Sequence, residues 1–327
     1  MSERLVLAMD GSTRACTTAL LTRDSAGGGD EAEGPSTGAW QVVAERTEVD
    51  GRGQARVLLR SIDEMLAQIG AVPVDIAAIV VGTGPGTFTG VRIAVATARA
   101  LALSLEVPVV GVSTLSALAA EAVRRLPRVD TTGPRVGRPD LVVPVVDAHR
   151  GQLFFGFYRA VRCDSGTQGT GAASRFARTE PISVCDREEI VSLVAEAAAD
   201  ATAMVVGDSL PVGGEETADV TVAPGRVHAA SLVIGQDLLD EPGCGIEGRR
   251  LAPWLTARLT ESPSRPWAAQ PEDGPFSRGA GGGWDPAAGL PGTPEAVRPI
   301  YVRAPDADIH ITKMKDPWAD RPTDGSS

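Results

Sequence analysis

The sequence predicts an α/β protein divided in two near its middle, and three observations carry that prediction. β-branched runs recur along the 327 residues, alternating with stretches whose apolar side chains fall at helical spacing. Residues 79–118 spell out strand, glycine-rich loop, helix and second strand in one continuous unit. A polar stretch at 127–140 then separates this unit from a second series of short apolar runs.

Taken in order, residues 5–9 and 16–21 read as buried strands around the turn-prone Asp10-Gly11-Ser12-Thr13. Residues 24–38 are acidic and glycine-rich, the composition of a flexible hairpin tip. A strand over 40–49 follows. Leu58, Ile62, Met65, Leu66 and Ile69 then repeat at helical spacing, predicting an amphipathic helix over 55–69. Ile79-Val80-Val81 meets a loop with glycines at 82, 84, 86 and 90, and an Ala-rich helix and a strand over 107–112 complete the unit. A helix over 113–125 opens on a good cap, Ser113 or Thr114.

Beyond the polar stretch, 141–146 and 153–157 read as paired strands around Asp147-Ala148-His149-Arg150-Gly151. Residues 163–175 form a second Gly/Ser-rich insertion. Helices are expected over 188–199 and 227–239, with a strand over 204–206. Residues 241–295 carry many Pro and Gly without periodicity. That composition buries too little apolar area to offset its ordering entropy, so disorder is expected there. A short piece, Arg298-Pro299-Ile300-Tyr301-Val302-Arg303, precedes a polar tail.

Composition narrows the chemistry. Aromatics make up 4% and hydrophobic residues 43%, so the core is expected to be Ala, Val and Leu. A net charge of −11 argues against a direct grip on a phosphate backbone. Lysine occurs only at 313 and 315, leaving no P-loop or Schiff-base lysine in the body of the chain. Cys16, Cys163, Cys185 and Cys244 are scattered, without the paired spacing of a zinc site or disulfide framework. With no signal-peptide pattern in MSERLVLAMD and no apolar run of the length a span needs, a cytoplasmic protein without membrane contact is expected.

The candidate motifs each admit two readings. GTGPGTFTG (82–90) fails the dinucleotide fingerprint, because Thr87 stands where the third glycine belongs, and no Lys-Ser/Thr follows as in a P-loop. Gly82, Gly84, Pro85, Gly86, Thr87 and Gly90 therefore form either a tight structural corner or an anion cradle at a helix N-terminus. Asp10, Gly11, Ser12 and Thr13 form either a plain turn or a residual phosphate turn, with Asp10 beside a metal or water. His149, His228 and His310 show no ligand spacing, so no metal site is expected. No catalytic constellation is recognisable. The helix after the glycine loop is apolar nearly all round, which points to a second face buried against another subunit.

LVLAMDGSTRACTTALL (5–21), GTGPGTFTGVRIAVATARALAL (82–103), PVVGVSTLSALA (108–119), VVDAHRGQLFFGFY (145–158) and PIYVR (299–303) together resemble the bacterial TsaB (YeaZ) family. The resemblance implies an ASKHA (actin/Hsp70/sugar-kinase-like) fold of two lobes, each a mixed β-sheet with flanking helices. It places the first lobe at 1–126 and the second at 141–240, the last helix of which packs back on the first. A disordered insertion at 241–295 and a C-terminal segment at 296–327 follow. It further implies a non-catalytic subunit with no cofactor of its own. Such a subunit pairs with the catalytic paralogue TsaD and the ATPase TsaE in making threonylcarbamoyladenosine beside the anticodon of ANN-decoding tRNAs. The tRNA is met only through the complex, and the free protein is a candidate homodimer. The partner surface maps onto Leu59, Ile62, Met65, Arg92, Val95, Ala96 and Arg99. Three departures stand out: Gln152-Leu153-Phe154 replaces the family's Glu-Val-Tyr, Asp10-Gly11-Ser12 replaces its Asp-Thr-Ala, and the insertion at 241–295 is long for the family. The second keeps open an alternative, an ATP-dependent phosphoryl- or carbamoyl-transferase of the same fold using Asp10.

Overall fold

The computed structural model describes residues 4–23, 40–49, 54–126, 139–161, 175–199, 201–207, 220–234, 239–240 and 293–302. The expected hairpin tip, the insertion at 163–174, most of the 127–140 stretch, residues 241–292, His310 and both lysines lie outside them.

The first lobe is a five-stranded sheet in the order β3-β2-β1-β4-β5. Its strands are β1 (Leu5–Asp10), β2 (Cys16–Arg23), β3 (Trp40–Glu48), β4 (Ile76–Gly82) and β5 (Val109–Val112). β1 pairs antiparallel with β2 and parallel with β4, so the Asp10 turn and the glycine loop leave the sheet side by side. Strand alternation sorts the core into two layers. Leu5, Leu7, Met9, Ile79 and Val81 face α1 (Gln54–Ile69) and α2 (Phe88–Leu105). Val6, Ala8, Ala78, Val80, Val110 and Val112 face the opposite side.

α2 is, by length and composition, apolar enough to cross a membrane. Gly90, Val91, Ala94, Val95, Ala98 and Ala102 are buried, and the five apolar ones join the first sheet's core cluster. α3 (Thr114–Arg125) joins the lobes. Ala117 meets the first sheet's core, whereas Ala119, Ala120 and Val123 pack on Val142, Tyr158, Phe176 and Val206 of the second.

β6 (Leu141–His149) centres the second sheet. It pairs antiparallel with β7 (Gln152–Phe155) and β8 (Tyr158–Val161), and parallel with β11 (Ala203–Gly207). β9 (Arg175–Arg178), β10 (Ser183–Asp186) and β12 (Val220–Pro224) extend it, and α4 (Ile190–Ala198) covers one face.

Three expectations are corrected. The helix expected over 227–239 is a single 3-10 turn, Ala229–Leu232, followed at Leu239–Asp240 by a short strand, β13, paired with β9. Every residue of that turn is buried, since it lies flat on the first sheet's second face and ties the lobes together. An amphipathic helix would leave one side in water. The strand expected over 153–157 ends at Phe155; after Gly156 and Phe157 a second strand, β8, starts at Tyr158, so that β7 and β8 flank β6 on opposite sides. The ordered C-terminal piece also begins earlier than 296: Thr293 is buried and Pro294–Ala296 forms a 3-10 turn.

Candidate functional site

Three chain segments meet where the first sheet's strands end. The turn after β1 brings Asp10 and Ser12, the loop after β4 brings residues 82–87, and the start of α3 brings Thr114. Asp10 and Ser12 are 0% exposed, and Thr114 is likewise fully buried. Asp10 Oδ1 accepts from the Ser12 backbone N–H at 2.9 Å and from Ser12 Oγ at 2.6 Å. Thr114 Oγ1 lies 2.9 Å from both Asp10 Oδ2 and Ser12 Oγ.

These three side chains close a ring of three hydrogen bonds. Ser12 and Thr114 bring one hydroxyl hydrogen each for three contacts, so Thr114 shares its hydrogen between Asp10 Oδ2 and Ser12 Oγ, and a third two-centre bond exists only when Asp10 is protonated. Burial acts in the same direction. It raises the Asp10 carboxyl above its ordinary value, against the bonds from Ser12 and Thr114 that pull it down. Burial thus favours the neutral form of Asp10, and its polar atoms are spent inside the protein.

The glycine loop seals the turn from above. Thr87 N–H donates to Ser12 C=O, and Thr87 Oγ1 donates to Gly11 C=O at 3.3 Å. The Thr114 N–H donates to Gly84 C=O at 2.8 Å. Two of the glycines are required by this contact: a Cβ on Gly82 would lie 1.7 Å from Asp10 Oδ2, and one on Gly86 would lie 2.0 Å from Ser12 O. The peptide Gly84-Pro85 is cis. Outside the loop, the C-terminal segment returns. Ile300 N–H donates to Thr83 C=O at 2.7 Å, and Val297 is buried in the α1/α2 layer.

Of the two readings of GTGPGTFTG, the geometry favours the structural corner. Its first residues pack on the Asp10 turn, and Asp10, Gly11, Ser12 and Thr13 are all buried beneath them. Thr87 sits at the N-cap position of α2 without making a side-chain cap bond, its hydroxyl being used on Gly11.

The expected partner surface divides. Leu59, Arg92 and Ala96 point outward and Arg99 is half-exposed. Ile62, Met65 and Val95 are corrected: their side chains belong to the core between α1, α2 and the sheet. The helical spacing that singled them out is the spacing of the inward face. Sequence reading missed Phe88 and Tyr301, both exposed beside Arg92. Tyr301 is 209 positions away from Arg92, and no local pattern connects them.

Elsewhere Glu121 accepts from Arg124 and Arg125 on its own helix and from Ser231 Oγ at 3.2 Å, which fastens α3 to the buried 3-10 turn. Burial pushes its carboxyl up, yet the arginine bonds outweigh it and the net shift is downward. Asp147 accepts from Arg187 at 3.3 Å and from the His149 N–H at 2.9 Å. Burial raises the thiols of Cys16 to about 12 and of Cys185 to about 11, so neither is a thiolate nucleophile at neutral pH. Among the described residues, no three His, Cys, Asp or Glu side chains converge as a metal site.

Comparison with known proteins follows this geometry. The family model described as TsaD, tRNA N6-adenosine threonylcarbamoyltransferase, matches residues 45–214, over half of the 327. The chain belongs to this family. A structure described as YeaZ from Pseudomonas aeruginosa is 26% identical, with a TM-score of 0.47, covering 70% of this chain and 88% of its own. Another, described as an uncharacterized protein with similarity to peptidase YEAZ from the same organism, is 27% identical, with the same TM-score and coverage. No curated protein gives a significant match. Family membership places the chain in tRNA modification.

Proposed function

We propose that this chain is the non-catalytic, TsaB-type subunit of the threonylcarbamoyladenosine machinery. In that role it binds and activates a catalytic TsaD paralogue, with the TsaE ATPase joining the cycle and tRNA met through the complex. The observation that carries the reading is the sealed Asp10 turn. A phosphoryl- or carbamoyl-transferase of this architecture needs the turn's amides and its acid open to a nucleotide. Here Asp10, Ser12 and Thr114 satisfy one another under the glycine loop. The net charge of −11 supports leaving the tRNA grip to another subunit. The outward side of α1 and α2 supports a helix–helix partner, with Leu59 and Leu103 left exposed.

Reconstitution tests the reading. TsaD and TsaE with tRNA, threonylcarbamoyl-adenylate and ATP are expected to give little modified adenosine until this chain is added. Full activity in its absence refutes the proposal. Calorimetry with Mg-ATP on the isolated chain checks the alternative, since micromolar binding abolished by Asp10→Ala favours an enzyme.

A further inference from the structure

At the start of α2, beside the sealed loop, Arg92 is held by two exposed aromatic side chains. Its guanidinium carbon lies 3.5 Å from the Phe88 ring centroid, and its Nε donates to the Tyr301 hydroxyl at 2.8 Å. The two rings are 5.6 Å apart, centroid to centroid. Tyr301 comes from the C-terminal segment, which is anchored by Val297 in the core and by Ile300 on Thr83. Among the described residues, neither Nη group of Arg92 has an acceptor.

We infer that Phe88, Arg92 and Tyr301 form a preset clamp for a carboxylate on the face of the partner protein. The inference rests on the pairing proposed above and names the chemistry of one contact within it. An exposed arginine ordinarily sacrifices rotamer freedom when it binds. Here the stack on Phe88 and the bond to Tyr301 have fixed the side chain in advance. With the guanidinium face covered and Nε used, what remains is the Nη edge, two parallel donors matched to a carboxylate. A phosphate would accept the same edge. The net charge of −11 repels a polyanion as a whole, whereas a single carboxylate on a docked protein is drawn in locally. The assignment also gives the C-terminal segment a part in binding.

The test measures affinity of the full-length chain for its TsaD paralogue by calorimetry, with circular dichroism melting as control. Arg92→Ala is expected to weaken binding about 10- to 100-fold, as loss of a central arginine contact does. Arg92→Lys should fail to restore it, because a lysine lacks the fork. Tyr301→Phe is expected to weaken binding several-fold in the wild-type background and to have no effect beside Arg92→Ala. All of these variants should melt with the wild type, since the three side chains are exposed. Wild-type binding that both Arg92→Ala and Tyr301→Phe leave within twofold overturns the clamp while leaving the pairing intact. No binding by the wild-type chain overturns both. Loss of tRNA retention by the assembled complex in Arg92→Ala, with TsaD affinity unchanged, shows a phosphate ligand and also overturns the carboxylate assignment.

Discussion

Two substitutions in the buried ring separate a structural acid from a catalytic one. Thr114→Val keeps the shape and removes one hydroxyl, leaving Asp10 Oδ2 and Ser12 Oγ short of a partner in a fully buried site. Each orphaned group costs about 1–3 kcal/mol, so a loss of roughly 2–6 kcal/mol is expected. At about 2–4 °C per kcal/mol for a domain of this size, the midpoint should fall by roughly 4–24 °C. Asp10→Asn behaves differently. Its Oδ1 accepts both bonds from Ser12, and its amide donates to Thr114 Oγ1 as the protonated acid does. One amide hydrogen is left over, and a single unsatisfied buried donor costs about 1–3 kcal/mol, less than the pair orphaned by Thr114→Val. Urea unfolding followed by circular dichroism gives both values. The pH dependence supplies a second reading. A carboxyl raised in the fold above its ordinary 3.8 contributes stability that is fully present below 3.8 and is lost as pH rises through the folded value. Wild type should therefore gain on Asp10→Asn toward acid and lose ground above it. An asparagine variant as unstable as Asp10→Ala, or a wild type that gains on it with rising pH, refutes the neutral ring.

Glu121 has the opposite sign. Its carboxyl is held down in the fold, so the advantage of wild type over Glu121→Gln should persist above pH 4.5 and vanish as pH falls through the lowered value. The carboxyl is largely buried but its two arginine partners are exposed and screened, so about 1 kcal/mol is expected at pH 7, read from paired urea titrations. Gly82→Ala forces a methyl into Asp10 and should cost more than about 3 kcal/mol, seen as a collapse in soluble yield or melting temperature. Val297→Ala removes two buried methyl groups' worth of packing, about 1.5–2.5 kcal/mol. If the C-terminal segment steadies the glycine loop, hydrogen exchange should rise at residues 82–90; unchanged protection there counts against that role.

Much of the first lobe was legible because its signals are local. β1, α1, β4 and α2 announce themselves by period, and each forms close to the expected bounds. The glycine loop was visible as a corner or a cradle, and composition could not choose between them. The choice depends on Thr114, which lies 104 positions from Asp10. The interface residues were half legible for a related reason: helical spacing finds the inward face, so it selected Ile62, Met65 and Val95 along with the outward Arg92. Strands such as Arg175–Arg178 and Ser183–Asp186 are four residues long and read as polar, and sheet neighbours, more than alternation, define them. The turn at Ala229–Leu232 is hydrophobic enough for a helix; only its flat seat on the first sheet explains why it stops at one turn.

The account's central claim is that Asp10 holds the subunit together and performs no chemistry. Threonylcarbamoyl transfer to tRNA by TsaD and TsaE, measured with wild-type chain, with Asp10→Asn and with neither, tests it directly. The account predicts no appreciable product without the chain and equal rates with wild type and Asp10→Asn. A folded Asp10→Asn chain that binds TsaD yet supports no transfer contradicts it.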